Sequence, residues 1–167
     1  MVSTIAARQQ RRARVVFKGG TLLRLCYRRD YRYSEDLDFD WIHPDPSKQA
    51  IQEFFDDVAT KVTNRYGTLL ETRWGANKLN LEWKLPDGQT GVISTDVKGR
   101  DFRGVEPTTI AWTILDRHQR VDVSVPIMGY SSESMLAAKL SCIADPSRLA
   151  ARDYYDLFHL LQDDSID

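Results

Sequence analysis

Val15-Val16-Phe17-Lys18-Gly19-Gly20-Thr21, followed shortly by Ser34-Glu35-Asp36-Leu37-Asp38-Phe39-Asp40, is the part of the chain whose reading decides the fold. The first run is β-branched and aromatic, then doubly glycine, then continues as Leu22-Leu23-Arg24-Leu25-Cys26 at helical spacing. That order predicts a strand, a tight turn and a helix whose first N–H groups have no intrahelical acceptor and so favour an anion. In the second run apolar and acidic residues alternate, so a strand places Asp36 and Asp38 on one face and Leu37 and Phe39 on the other. Two carboxylates side by side repel unless a cation sits between them. Asp40 continues the alternation but precedes Trp41, Ile42 and a proline-containing loop, so it is read as the strand end and left out of the metal site. Phosphate-holding donors beside paired oxygen ligands are the two parts that metal-assisted phosphoryl or nucleotidyl transfer needs.

Outward from these runs the periodicity predicts a mixed chain. Strands are expected near 14–18, 36–41, 78–84, 91–97 and 121–125, and helices near 21–29, 47–65, 107–116, 132–144 and 147–162. The 47–65 helix packs Ile51, Phe54, Phe55, Val58 and Val62 inward, and Glu106-Pro107-Thr108 suits a helix start. Leu85-Pro86-Asp87-Gly88-Gln89 is a turn that joins two strands into a hairpin. Near the C-terminus Leu149, Asp153, Leu157 and Leu160 recur at helical intervals, which sets a carboxylate within an apolar stripe. A carboxylate there needs a partner to offset its desolvation. Lys139, flanked by Met135, Leu136, Leu140 and Ile143 on the preceding helix, could supply that charge, either as a functional cation or as a helix-bridging or snorkelling lysine.

The Gly-Gly-Thr turn with Ser34-Glu35-Asp36-Leu37-Asp38-Phe39 resembles the first motif of the DNA polymerase β-type nucleotidyltransferase superfamily. More narrowly, the chain is similar to the AbiEii toxin family, whose mycobacterial branch includes the MenT-like toxins. A second match is Ser134-Met135-Leu136-Ala137-Ala138-Lys139-Leu140 ahead of Ala151-Arg152-Asp153-Tyr154-Tyr155-Asp156-Leu157, like that family's helical lysine and Arg-Asp-x-x-Asp-Leu segment. The matched blocks span roughly Val15 to Leu161. The resemblance implies an α+β fold: a polymerase β-like core, a mixed sheet with flanking helices, over about 14–125, and a C-terminal helical part over about 130–167, as one domain.

By resemblance, Asp36 and Asp38 hold metal, and a third metal carboxylate comes from a later neighbouring strand. Asp96, at the end of Val92-Ile93-Ser94-Thr95, is preferred, and Glu82 in Leu79-Asn80-Leu81-Glu82-Trp83 is the alternative. Gly19, Gly20, Thr21, Ser34 and Lys139 contact the nucleotide, and Asp153 completes the catalytic set with Asp36, Asp38 and Lys139. The cofactor implied is Mg²⁺, as two ions, with Mn²⁺ an alternative, and the substrate is an NTP. The resemblance to the MenT-like branch implies transfer of an NMP unit to the 3′ end of tRNA, blocked translation and a cognate antitoxin, with a pyrimidine nucleotide the first donor expected. The same chemistry on a protein hydroxyl, or a non-catalytic nucleotide-fold binding module, are the alternatives. Ser34 is a candidate phosphosite, since a phosphate would set about two negative charges against the metal ligands; Thr21 is a second. Family members usually carry a helical segment before the first strand, which this chain reaches almost at once, so either that part is minimal or the start lies upstream.

Composition narrows the partners little. With 23 Lys and Arg against 24 Asp and Glu the net charge is −1, so nucleic-acid binding does not follow from overall charge. Arginines cluster locally, at Arg8, Arg11, Arg12 and Arg14, at Arg24, Arg28, Arg29 and Arg32, and with Lys98 at Arg100 and Arg103. Such groups suit RNA or triphosphate oxygens, or are solvated surface. The 167 residues suffice for one substantial core, and no run of 18 apolar residues or export signal occurs, so a cytoplasmic protein without membrane contact is expected. Cys26 and Cys142 read as buried thiols of a reducing compartment, and the three histidines, at 43, 118 and 159, lack zinc spacing.

Overall fold

The computed structural model describes residues 5, 15–28, 31–42, 47–75, 78–100, 108–113 and 124–162. Among the described residues seven strands form one mixed sheet: β1 Val15–Lys18, β2 Leu37–Ile42, β3 Leu69–Trp74, β4 Leu79–Lys84, β5 Thr90–Arg100, β6 Thr108–Thr113 and β7 Ser124–Gly129, in the order β3-β4-β5-β2-β1-β7-β6. β2 is central, antiparallel to β1 and parallel to β5, and β1 runs parallel to β7. The helices that accompany the sheet among the described residues are α1 Gly19–Leu22, prolonged by a π-turn over Leu23–Tyr27, α2 Lys48–Tyr66, α3 Ser132–Ala144 and α4 Ala151–Leu160.

Alternation along β2 divides the sheet into a core face and a site face. Leu37, Phe39 and Trp41 are buried under α2, with Phe39 5.8 Å from Phe55 and Trp41 5.9 Å from Phe54 between ring centroids. Ile51, Phe55, Val58, Ala59 and Val62 form the buried stripe of α2. Burial of each such large side chain is worth about 1.5–3 kcal/mol, so this contact is the main anchor of the helix. Its ends follow from local chemistry: Ser47 accepts from the Ala50 N–H at 3.1 Å, and Gly67 closes the helix at φ +65°. Asp38 and Asp40 consequently point to the opposite side, where α3 and α4 lie.

Five elements depart from the sequence expectation. The helix expected over 107–116 is the strand β6 where it is described, and its residues 107 and 114–116 lie outside the described residues. Its Thr-Thr-Ile-Ala-Trp-Thr run is β-branched and aromatic and pairs antiparallel with β7, which outweighs the Glu-Pro start signal. The strand expected at 121–125 is β7 where it is described, which continues to Gly129; residues 121–123 lie outside the described residues. β3 was not expected: Leu-Leu-Glu-Thr-Arg-Trp is an edge strand with polar residues along it, and an edge tolerates what a buried strand does not. The helix expected from 147 begins at Ala151, and the end of the one expected over 21–29 is a π-turn reaching Tyr27.

Candidate active site

The C-terminal end of β1, the start of α1, the strands β2 and β5, and helices α3 and α4 surround a cleft of about 280 Å³. Asp36, just ahead of β2, Asp38 within it and Asp96 on β5 all line this cleft, and Asp38 and Asp96 are direct register partners across the parallel pair. Glu82 pairs instead with Glu71 on β3 and Val92 on β5, away from this group. Burial pushes the Asp38 carboxyl above its ordinary value; Lys18 opposes that, while Asp96 and Asp36 add to it. Asp36 is 3.2 Å from the Lys78 ammonium and Asp96 is 3.5 Å from that of Lys98. Among the described residues no three His, Cys, Asp or Glu side chains are drawn together as a ready-made metal cage.

Gly19 has φ +77°, and a Cβ there would lie 2.9 Å from both Cβ and Cγ of Asp38 and overlap its Oδ2. The turn therefore needs glycine twice over, for the left-handed backbone and for the close approach of the carboxylate. A Cβ at Gly20 would meet Arg32 Nη2 at 2.6 Å and Ser34 Oγ at 3.0 Å. The glycines are thus the backbone floor on which Asp38, Arg32 and Ser34 converge. Thr21 is buried, and its hydroxyl is 2.5 Å from the Asp36 carbonyl, to which it donates, and 2.9 Å from Ser34 Oγ. It fixes the loop over 31–36, and it is Ser34 that lines the cleft.

Across the cleft, Lys139 is buried between two aspartates of α4, 2.7 Å from Asp153 Oδ1 and 2.6 Å from Asp156 Oδ2. The other Asp153 oxygen accepts from Arg148 Nε at 2.9 Å. Burial raises the Asp153 carboxyl, but the hydrogen bonds from Lys139 and Arg148 outweigh it and hold the group below its ordinary value. Asp156 is likewise lowered on balance, burial being overcome by Arg32, Lys139 and Tyr31. The stripe of α4 holding Asp153 is therefore acidic as much as apolar: Asp153, Asp156 and Leu160 are its buried residues, while Leu149 is exposed ahead of the helix.

Asp40 is not a strand end. It lies inside β2, fully buried, ion-paired with Lys18 and hydrogen-bonded by Tyr130. Lys18, Tyr130 and Lys78 are cleft residues that the sequence reading did not assign, although Lys18 lies within the very run it quoted; Arg32 is one of the arginines it offered to phosphate, and Asp156, paired with Lys139, belongs to the Arg-Asp-x-x-Asp segment. Of the arginines, Arg28 donates to the His159 carbonyl at 2.5 Å and Arg24 lies 4.7 Å over the Tyr33 ring; Arg8, Arg11, Arg12, Arg14, Arg29 and Arg103, and the Arg100 side chain, lie outside the described residues. Cys26 and Cys142 are half-buried thiols, Cys142 at the cleft, and burial pushes Cys26 up to about 12.

Residues 3–167 match the family described as nucleotidyl transferase AbiEii toxin, type IV toxin–antitoxin system. The chain belongs to this AbiEii family. Among solved structures it is similar to MenT4, a nucleotidyltransferase toxin from Mycobacterium tuberculosis, at 24% identity and TM-score 0.65, covering 96% of this chain. It is also similar to an antigenic nucleotidyltransferase-like protein from Paracoccidioides brasiliensis, at 16% identity and TM-score 0.55, covering 96% of this chain and 73% of that one. These likenesses give this AbiEii member a nucleotidyltransferase fold, as the sequence predicts. The chain spans 56% of the length of MenT4. No curated protein matches it. Among the described residues no helix is long and apolar enough to cross a membrane.

Proposed function

We propose that this chain transfers an NMP unit from an NTP to an acceptor hydroxyl with release of pyrophosphate, and that the acceptor is the 3′ end of tRNA. The observation that carries this reading is the register of Asp38 against Asp96, with the Gly19-Gly20 turn pressed on Asp38 and Lys139 across the same cleft. The donor set suits Mg²⁺, with Mn²⁺ as substitute: Mg²⁺ takes one or two carboxylates and completes its shell with water and substrate phosphates rather than a protein cage. Asp38, burdened by two neighbouring carboxylates, gains from a cation, and the half-exposed Lys78–Asp36 pair, worth about 0–1 kcal/mol, yields easily to one.

In this reading Asp36, Asp38 and Asp96 hold the metal. Held by these carboxylates, two Mg²⁺ would supply charge neutralisation for the triphosphate and a lowered pKa for the attacking hydroxyl. The N–H groups at the Gly19-Gly20 turn and the Lys139 ammonium hold the phosphates in line, and Ser34 sits where it meets them. Asp153, with both oxygens taken by Lys139 and Arg148, serves as a positioning residue for those cations rather than a group that touches the reacting atoms. Ser34 is the candidate regulatory phosphosite, since its hydroxyl faces the cleft, and Thr21, engaged in the loop, is the less accessible one. A cognate antitoxin is the expected protein partner, and a pyrimidine nucleotide the first donor to try.

The test is incubation of the parent and its Asp36→Ala variant with Mg²⁺, total tRNA and each α-labelled NTP, followed by separation of RNA from protein. Label on tRNA from the parent alone supports the proposal and names the base. Label on protein makes a protein hydroxyl the acceptor. Absence of label with nucleotide binding retained makes the chain a binding module.

A further inference from the structure

Asp156 is fully buried, and four donors from three residues in two parts of the chain meet on it. Tyr31 OH is 2.7 Å from Oδ1, Arg32 Nε 2.6 Å from Oδ1, Arg32 Nη2 2.7 Å from Oδ2 and Lys139 Nζ 2.6 Å from Oδ2. Burial foremost, then the bond to Asp156, raises the Tyr31 pKa, so its hydroxyl stays a donor. A two-point guanidinium–carboxylate contact fixes Arg32 in orientation as well as distance. The guanidinium so fixed lies against Gly20, where a Cβ would be 3.2 Å from its Cζ.

Counting charge in this cluster, Lys139, Arg32 and Arg148 supply three positive charges and Asp153 and Asp156 two negative ones, an excess of one cation at the cleft wall. Donors are in excess too. An ammonium has three N–H bonds and Lys139 gives two to carboxylates; a guanidinium has five and Arg32 gives two to Asp156 and one to the Tyr33 carbonyl at 3.3 Å. Both cations line the cleft with donors to spare, Arg32 against Gly20 and Lys139 across the cleft from it.

We propose that Arg32 and Lys139 form a two-pronged clamp for the phosphate chain of the nucleotide, and that Asp156 is the positioning residue that sets both prongs. This rests on the reading of the cleft as a nucleotidyl-transfer site; it singles out Arg32 from the arginines that suit triphosphate oxygens and gives Asp156 a role there. A salt bridge serving only to join α4 to the 31–36 loop predicts no change in anion affinity when Arg32 is replaced by lysine, which still pairs with Asp156. A clamp predicts a loss, because lysine lacks the fork.

The test is calorimetric titration of the full chain with inorganic tripolyphosphate in EDTA, beside its Arg32→Lys, Arg32→Met and Asp156→Asn variants, with melting curves as the folding control. Arg32→Met is expected to weaken binding by about tenfold or more, and Arg32→Lys by several-fold with the melting temperature kept. In nucleotide transfer, Asp156→Asn raises KM more than it lowers kcat. If Arg32→Lys and Arg32→Met bind tripolyphosphate like the parent while transfer persists, the clamp is wrong and the transfer reading stands. If binding falls in the variants but the parent transfers no nucleotide to any acceptor, the clamp stands and the transfer reading fails. A parent that does not bind tripolyphosphate overturns the clamp outright.

Discussion

Gly19→Ala is the perturbation with the clearest consequence. At φ +77° an alanine costs about 1–2 kcal/mol in backbone strain. The new Cβ also overlaps the Asp38 carboxylate and lies 2.9 Å from Asp38 Cβ, so that side chain must leave its rotamer, for about 0.5–1.5 kcal/mol more. Together these amount to roughly 2–3 kcal/mol, which for a domain of this size lowers the melting temperature by about 4–12 °C. A displacement near 1 Å at a group that organises the reaction costs about 10²-fold in rate, so transfer falls by that factor while most of the chain stays folded at 25 °C. Gly67→Ala is the control: its φ is +65°, but a Cβ there meets nothing within 4 Å, so it carries the strain without the collision. The assay is release of pyrophosphate from NTP at 25 °C beside thermal melts of both variants. Equal activity in the two variants would refute the inference that the turn and Asp38 are interlocked.

Other outcomes follow from the same geometry. Asp96→Asn is expected to lower transfer about 10²-fold and Glu82→Gln to leave it within about twofold, in steady-state assays at fixed Mg²⁺; the reverse order would move the third metal ligand to β4. Lys139→Met leaves two buried carboxylates short of a cation and should cost about 3 kcal/mol in urea unfolding, the low end for a broken buried pair because Arg148 and Arg32 remain. Asp153 and Asp156 are held below the ordinary value of 3.8, so their stabilisation is present above that pH and is lost as pH falls from it toward their native values. Asp38 is raised, so between 3.8 and its native value the folded state binds more protons and its contribution to stability falls as pH rises. Denaturation curves should therefore show a shallower acid limb below 3.8 in Asp156→Asn, with Asp153 supplying what remains, and Mn²⁺ affinity measured by its relaxation signal should weaken as Asp38 takes its proton above the usual carboxylate range.

The β1–turn–α1 unit, β2, α2, the β4–β5 hairpin and the lysine helix were legible in the chain because each is governed by local periodicity and turn chemistry, as with Ser47 and Gly67 at the ends of α2. β3 and β6 were not, because they are edge strands whose pairing partners, more than their own pattern, make them strands. The acids of the first motif could be named from spacing alone, since alternation sets Asp38 opposite to Phe39 whatever surrounds it. Which later acid joins Asp38 was left to the parallel register of β2 with β5, a pairing between distant segments that selects Asp96 over Glu82. The same holds for Asp40, Arg32 and Asp156. In sequence they are an extra strand acid, one arginine among many and a helix carboxylate; buried contacts across 22 and 124 residues make them partners of Lys18 and of each other. Local spacing determined the kind of chemistry this chain is built for, while only the tertiary structure decided which charges meet, because a buried charge takes its role from the partner brought to it.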